Sequence, residues 1–185
     1  NELSIEEASE LIDNPLDYAT IDFNREKRTG VPEVIYGAGK TKEQIAGIIQ
    51  NMLDHEVLNI LVTRLDQIKY TYLKERYPDF VYDELAETFL LDQKPRPKNK
   101  GLIVVACAGT SDLPVAKEAA ITAEYLGNDV ELITDVGVAG IHRLFRRMDV
   151  IEKASVIIAI AGMEGALASV IGGLTDKPVI AVPTS

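Results

Sequence analysis

The strongest constraint on this chain is an alternation in its second half. Short apolar runs recur, and the first three are each followed by a glycine-bearing turn and then a helix-length segment. The runs are Leu102 to Ala106, Asp129 to Ile133, Ser155 to Ile160 and Val179 to Val182. Runs this short and this apolar read as strands covered by helices on both faces. Helices are expected over Leu113 to Tyr125, across His142 to Met148, and in the small-residue stretch after Ala161. Strands alternating with helices build βαβ units and a parallel sheet, an α/β fold. In open sheets of this kind ligands bind beyond the carboxyl ends of the strands, which makes the three turns there the places where chemistry is sought.

The first turn sets Gly109, Thr110, Ser111 and Asp112 before a helix. Glycine lets a backbone approach a ligand closely. The helix start offers unpaired N–H groups and a positive dipole end. Ser111 and Asp112 can bond ribose hydroxyls, and Asp112 can act as a base; equally, either can be a plain helix cap. Pro114 suits the first helical turn under both readings. The second turn brings His142 and Arg143 to a glycine-rich strand end, residue types suited to proton transfer and to carboxylate or phosphate binding. The plainer reading makes them surface helix residues in a basic run with Arg146 and Arg147. The third turn is Gly162, Met163, Glu164, Gly165 and Ala166. Its small residues also permit close helix–sheet packing, and Glu164 suits a helix start with or without a ligand. One such turn says little, but three at the strand ends of one sheet converge on a shared cleft.

The first half follows another pattern. Residues 93–100 carry two prolines and four basic side chains with no apolar one, which reads as an exposed linker between domains 1–92 and 101–185. The first domain is expected to be a small α+β unit. It opens with an acidic helix, Ser4 to Asp13, stopped at Asn14-Pro15. Tyr18 to Phe23 and Glu33 to Tyr36 read as strands. Thr41 and Gln44 form a capping-box pattern for a helix whose buried face is Ile45, Ile48, Ile49, Met52 and Leu53. A strand over Leu58 to Val62, a helix over Asp66 to Tyr77 ended by Pro78, and extended runs over Phe80 to Tyr82 and Glu87 to Leu91 complete it. Gly39-Lys40-Thr41 resembles the end of a P-loop, but Val34 stands where that motif needs glycine. Lys40, with Arg25, Arg28 and Glu33, makes a polar cluster that could close over a ligand. His55, at an acidic helix end, reads as structural.

Charge excludes one class of partner. Residues 1–92 hold 19 acidic and 9 basic side chains and residues 93–185 hold 10 of each, for a net charge of −10. Nucleic acid needs a basic face that this chain lacks. A small anionic ligand needs only helix N-termini and one or two cations. No run is long enough to span a bilayer, and the acidic start is no leader peptide, so no membrane is expected. The first residue is not Met, which leads us to expect that the native chain begins earlier. Cys107 is the one cysteine, so no intrachain disulfide forms, in keeping with a cytoplasmic location. At the end of a core strand it reads as a buried small hydrophobe rather than a nucleophile. No metal site is read.

The stretches VVACAGTSDLPVAKEAAITAEYLGNDVELITDVGVAGIHRL and IAIAGMEGALASVIGGLTDKPVIAVPTS resemble the LarB family almost throughout, and DFNREKRTGVPEVIYGAGKTKEQI resembles that family's N-terminal domain. The second half is also similar to PurE, the aminoimidazole ribonucleotide carboxylase or mutase. In that family a Gly-x-x-Ser-Asp turn binds the ribose phosphate and a Ser-Ala-His-Arg segment supplies a catalytic histidine. Gly109, Ser111 and Asp112 match the first pattern, and His142 and Arg143 match the second. The segment here reads Gly140-Ile141-His142-Arg143, and the first domain has no counterpart in the purine enzymes; both departures favour LarB. The resemblance implies a PurE-like second domain and a two-part reaction. Nicotinic acid adenine dinucleotide is carboxylated on its pyridinium ring, and its phosphoanhydride is hydrolysed to give AMP and pyridinium-3,5-biscarboxylic acid mononucleotide, the first step toward the nickel-pincer nucleotide. It further implies carbon dioxide or bicarbonate as co-substrate and no tightly bound cofactor, with magnesium left open. A homo-oligomer is implied, an octamer being one form. Catalytic roles fall to Asp112 and His142. Substrate binding falls to Gly109, Thr110, Ser111, Asp112, Arg143, Gly162, Met163, Glu164, Gly165, Ala166, Arg25, Arg28 and Lys40. The family's nucleophilic cysteine is expected beyond Ser185, so the chain is expected to be incomplete at its C-terminus. The alternatives are a PurE-type carboxylase or mutase and a nucleotide-binding module without catalysis.

Overall fold

The computed structural model describes residues 16–184, so the helix expected at Ser4 to Asp13 and its Asn14-Pro15 stop lie outside the described residues. The chain divides into two compact units, residues 1–94 and 95–185.

In the first unit the elements run α1 (Arg25–Thr29), β1 (Ile35–Tyr36), α2 (Lys42–Asp54), β2 (Asn59–Thr63), α3 (Gln67–Leu73), β3 (Val81–Asp83) and β4 (Thr88–Asp92). The sheet order is β1-β2-β4-β3, with β1 parallel to β2 and the other pairs antiparallel. The expected α+β character is present. β2 is buried along its whole length because it lies inside the sheet. The capping box forms as the residue types require: Gln44 N–H donates to Thr41 Oγ1 at 3.2 Å, and Thr41 N–H donates to Gln44 Oε1 at 2.9 Å. Ile45, Ile48, Ile49 and Met52 are then turned into the core. Aromatic rings fill the other side of that core. Phe89 stacks on Phe80 with centroids 4.6 Å apart and meets Tyr70 edge-on at 5.9 Å. Tyr82 stacks on Tyr70, its hydroxyl donates to Leu65 O at 2.9 Å, and burial pushes the phenol up to about 12.

Two expectations for this unit need correction. Tyr18 to Phe23 is no strand; Leu16 and Ala19 form only an isolated bridge, and Ile21 and Phe23 pack singly against the core. A five-residue helix, α1, follows instead and ends at Gly30 in the left-handed region (φ 75). The helix begun by the Asp66 cap stops at Leu73, and the chain continues in turns to Tyr77, whose N–H donates to Leu73 O at 2.9 Å and whose hydroxyl donates to Ala46 O at 2.8 Å.

In the second unit the elements are β5 (Leu102–Cys107), α4 (Leu113–Tyr125), β6 (Asp129–Ile133), α5 (Ile141–Phe145), α6 (Met148–Lys153), β7 (Val156–Ala161), α7 (Ala166–Leu174) and β8 (Val179–Pro183). The sheet is parallel throughout, in the order β6-β5-β7-β8. β6 lies on one side of β5, while β7 and β8 lie on the other. Right-handed crossovers then place α4 on one face and α5, α6 and α7 on the other. The two cores match this division. Val105, Cys107 and Ile160 pack with Ala116 and Ala120, while Val104, Ala106, Ile157 and Ala159 pack with Leu144, Ile151 and Leu167. The single helix expected across His142 to Met148 is broken at Arg146 and Arg147. Arg147 Nη2 lies 2.8 Å from Glu131 Oε1, which ties that break to β6. The segment expected to be an exposed linker is bonded at both ends. Lys94 exchanges hydrogen bonds with the Asn59 amide in the first unit; in the second, Lys98 Nζ lies 2.7 Å from Asp129 and Asn99 N–H donates to Gly127 O at 2.9 Å.

Phe89→Ala is expected to destabilise the first unit by about 3–5 kcal/mol, the usual cost of emptying a buried aromatic site. Ile68→Ala, at a position 78% exposed, is expected to stay within about 0.5 kcal/mol of the parent. Urea unfolding monitored by circular dichroism measures both.

Candidate active site at the carboxyl ends of the parallel sheet

β5 ends at Cys107, and the chain passes through Ala108 and Gly109 into one 3-10 turn, Thr110–Asp112, before α4. This turn carries Asp112 inward until it is only 5% exposed. A carboxylate so deeply buried needs donors. It has two: Gly109 N–H donates to Oδ2 at 3.0 Å, and the Thr184 hydroxyl donates to Oδ1. One donor comes from its own loop and the other from the residue just past β8. Asp112 makes no side-chain cap to α4, so its carboxyl closes the turn rather than the helix. Thr110 and Ser111 are exposed beside it.

The loop after β6 is bonded directly to the first. Val136 N–H donates to Cys107 O at 3.1 Å, and Gly137 N–H donates to Ala108 O at 3.0 Å. The approach is so close that a Cβ on Gly137 would stand 2.9 Å from that carbonyl oxygen. Asp135 takes a left-handed φ of 58, a region its short polar side chain tolerates. Arg143 folds back over the same loop: Nη1 lies 2.6 Å from Asp135 Oδ1, and Nε donates to Gly140 O at 3.4 Å. His142 is exposed on α5.

The loop after β7 completes the arrangement. A Cβ on Gly162 would stand 3.2 Å from Thr184 Oγ1 and 3.5 Å from Asp112 Oδ1, so this glycine backs directly onto the carboxylate. Gly165 starts α7 from the left-handed region (φ 66), and its N–H donates to Gly162 O at 3.0 Å. Met163 also has a positive φ, of 53, and is 97% exposed; Glu164 beside it is exposed as well. α7 runs next to the Val138–Gly140 turn. Beneath the loops, Ala108, Val138, Ala161 and Leu167 share one apolar cluster. The structure therefore brings the three loops to one end of one sheet, where Asp112 lies against Gly109, Gly162 and Thr184 and the loop after β6 is bonded to Cys107 and Ala108.

Cys107 is fully buried, its Sγ donates to Gly109 O at 3.0 Å, and burial, with the nearby Asp112 charge, pushes the thiol up to about 11. It stays a protonated thiol at neutral pH, a buried small hydrophobe as its strand position implied. Arg25, Arg28 and Lys40 belong to the first unit. The Arg28 guanidinium lies 2.5 Å from Asp22 and its hydrogen bond holds that carboxyl below the ordinary range. Burial raises the carboxyl of Glu33, opposed by the charge of Arg25. Lys40 Nζ donates to Tyr36 O at 2.8 Å and closes its own turn. Sequence reasoning missed Asp22 and Thr184. Thr184 was within reach of the rule used for the other loops, since it too follows directly on a parallel strand. Among the described residues no group of three or more His, Cys, Asp or Glu could hold a metal ion, and no helix is long and apolar enough to cross a membrane.

Comparison with known proteins agrees with this division. Residues 13–93 match the model of the LarB/PurE-like N-terminal domain, and residues 102–185 match the model of AIR carboxylase. An uncharacterized protein of Methanocaldococcus jannaschii is 42% identical over 176 residues, 89% of this chain and 67% of that protein. The N5-carboxyaminoimidazole ribonucleotide mutase of the same organism is 39% identical over 85 residues, 44% of this chain and 52% of the mutase.

Two glycines separate structural need from open space. Gly137→Ala is expected to destabilise the second unit by about 1–3 kcal/mol, because backbone must move to admit the methyl group. At Gly109 a Cβ would meet nothing closer than 3.6 Å, so Gly109→Ala is expected to fold with little change in thermal midpoint. Calorimetric melting of the two variants checks the contrast.

Proposed function

The chain belongs to the LarB-type family, in which a LarB/PurE-like N-terminal domain precedes a PurE-like carboxylase domain, and on that premise we propose that it carboxylates nicotinic acid adenine dinucleotide. Carbon dioxide, drawn from bicarbonate, is added to the pyridinium ring. The phosphoanhydride is then hydrolysed, releasing AMP and pyridinium-3,5-biscarboxylic acid mononucleotide for nickel-pincer nucleotide synthesis. The observation that supports this reading best is the buried Asp112 carboxylate, held among Gly109, Gly162 and Thr184 at the carboxyl ends of the parallel strands.

The chemistry explains why such a group is wanted. A pyridinium cation is electron-poor and does not attack carbon dioxide. A thiolate first adds to the ring, its sulfur lone pair forming a C–S bond while the ring nitrogen loses its positive charge. The resulting enamine carbon attacks carbon dioxide, forming the new C–C bond and a carboxylate. That carbon still carries its hydrogen; Asp112 takes this proton, and the electron pair left behind expels the thiolate and restores the aromatic ring. A thiolate suits the first and last steps because it is both nucleophilic and able to leave. Cys107 is not that group, being buried and protonated. Water supplies the oxygen and protons of the hydrolysis.

The exposed hydroxyls of Thr110 and Ser111 are suited to the ribose, and Gly109 and Gly162 let the dinucleotide lie close to the backbone. Arg143 would meet a phosphate or the ring carboxylate in competition with Asp135. His142, Met163, Glu164, Gly165 and Ala166 line the approach in this reading. Arg25, Arg28 and Lys40 enter no step of it. A cytoplasmic homo-oligomer without a tightly bound cofactor completes the proposal. The match of the second unit to a mutase favours a second reading, turnover of aminoimidazole ribonucleotide.

The full-length native protein, incubated with the dinucleotide and labelled bicarbonate, is expected to form AMP and a mononucleotide bearing one labelled carboxyl group, as read by mass spectrometry. Asp112→Asn is expected to lower kcat by roughly 10²–10⁴-fold, the range for loss of a general base. Turnover of aminoimidazole ribonucleotide instead would transfer the assignment to the purine reaction. Dinucleotide binding with neither product would leave a binding module.

A further inference from the structure

We infer that Thr184 is a positioning residue for Asp112, so that the register of β8 sets the direction of the catalytic carboxylate. The inference rests on the role given to Asp112 above.

Thr184 is held from two directions. Its N–H donates to Ala161 O at 3.0 Å, which continues the β7–β8 pairing one residue past Pro183. Its backbone is therefore placed by the sheet. Its hydroxyl then has one partner, Asp112 Oδ1, from a loop 72 residues earlier in the chain. A β-branched side chain has few χ1 choices, so a fixed backbone leaves the hydroxyl little freedom. Gly162 lies against the pair: a Cβ there would stand 3.2 Å from Thr184 Oγ1 and 3.5 Å from Asp112 Oδ1.

The consequence for Asp112 is geometric. A carboxylate has about four acceptor positions. One on Oδ2 is taken by Gly109 N–H and one on Oδ1 by Thr184. Donors on both oxygens stop rotation of the carboxyl plane. The remaining lone pairs then keep a fixed direction at the loop junction, available to accept a proton. With Thr184 removed, Asp112 stays anchored through Oδ2 alone and can swing about that single bond. Gly109 is local to the turn and cannot replace a donor on the opposite oxygen. Thr184 does not itself move a proton; it acts through Asp112.

The test uses the full-length protein and three variants: Thr184→Val, which keeps the shape and loses the hydroxyl, Thr184→Ser, which keeps the hydroxyl, and Thr184→Val combined with Asp112→Asn. Thr184→Val is expected to lower kcat for the dinucleotide by about 10²-fold, the scale of a small misplacement of a catalytic group, with KM nearly unchanged. Thr184→Ser is expected to recover most of the rate. The double variant is expected to be no slower than Asp112→Asn alone, because a residue acting only through Asp112 adds nothing once that carboxylate is gone. A merely structural role would lower the thermal midpoint while leaving kcat per folded molecule intact. That outcome, failure of serine to rescue, or an additive double variant overturns the inference while wild-type turnover leaves the proposed reaction standing. If the wild type turns over aminoimidazole ribonucleotide instead, the same split is read on that substrate. No turnover of either substrate retires the reaction and this role together.

Discussion

A carboxylate taken out of water must find donors or lose its charge, and this constraint organises the functional end of the second unit. Asp112 lies where β5 hands over to α4, and its own turn supplies only the Gly109 N–H. The second donor, Thr184, comes from just past β8, on the other side of β7. Satisfying one side chain therefore ties the loop after β5 to the end of β8, with Gly162 of the loop after β7 packed against both partners. The loop after β6 is bound by backbone alone, through Val136 and Gly137, and the contact is too close for any side chain at Gly137. The result is a set of loops whose backbones are held firmly while Ser111, His142, Met163 and Glu164 stay exposed at their tips. Rigid support under exposed polar tips is what a binding surface requires.

The first unit follows a different logic. Its core joins aliphatic side chains of α2 and β2 to a group of rings, Phe80, Phe89, Tyr70 and Tyr82, and its long helix is set by a reciprocal cap rather than by a functional turn. The glycine turn before that helix has the look of a phosphate loop, yet its lysine is spent on the Tyr36 carbonyl. Asp22, Arg25, Arg28 and Glu33 balance one another electrostatically at the start of this unit.

Much of the second unit was legible in the sequence because its signals are local. An unbroken apolar run, Pro114 in the first helical turn and Gly127 after the last are enough to bound β5, α4 and β6 almost to the residue. The break between α5 and α6 was not legible, and at it Arg147 meets Glu131 on another element, a contact that no local pattern announces. In the first unit, Ala19, Ile21 and Phe23 alternate as a strand does. A few apolar residues laid singly on a core give the same pattern, and only a neighbouring strand could have told the two apart. The candidate site divides in the same way. The three turns follow from strand ends alone, whereas the Arg143–Asp135 pair and the Thr184–Asp112 contact are tertiary.

The central claim is that the loops around Asp112 form one binding surface for a dinucleotide. Amide hydrogen exchange of the full-length protein, with and without nicotinic acid adenine dinucleotide, tests it most directly. The account predicts that residues 109–112, 137–140 and 162–165 gain protection together at the same ligand concentration. Protection confined to one of these loops, or found only elsewhere in the chain, would contradict it.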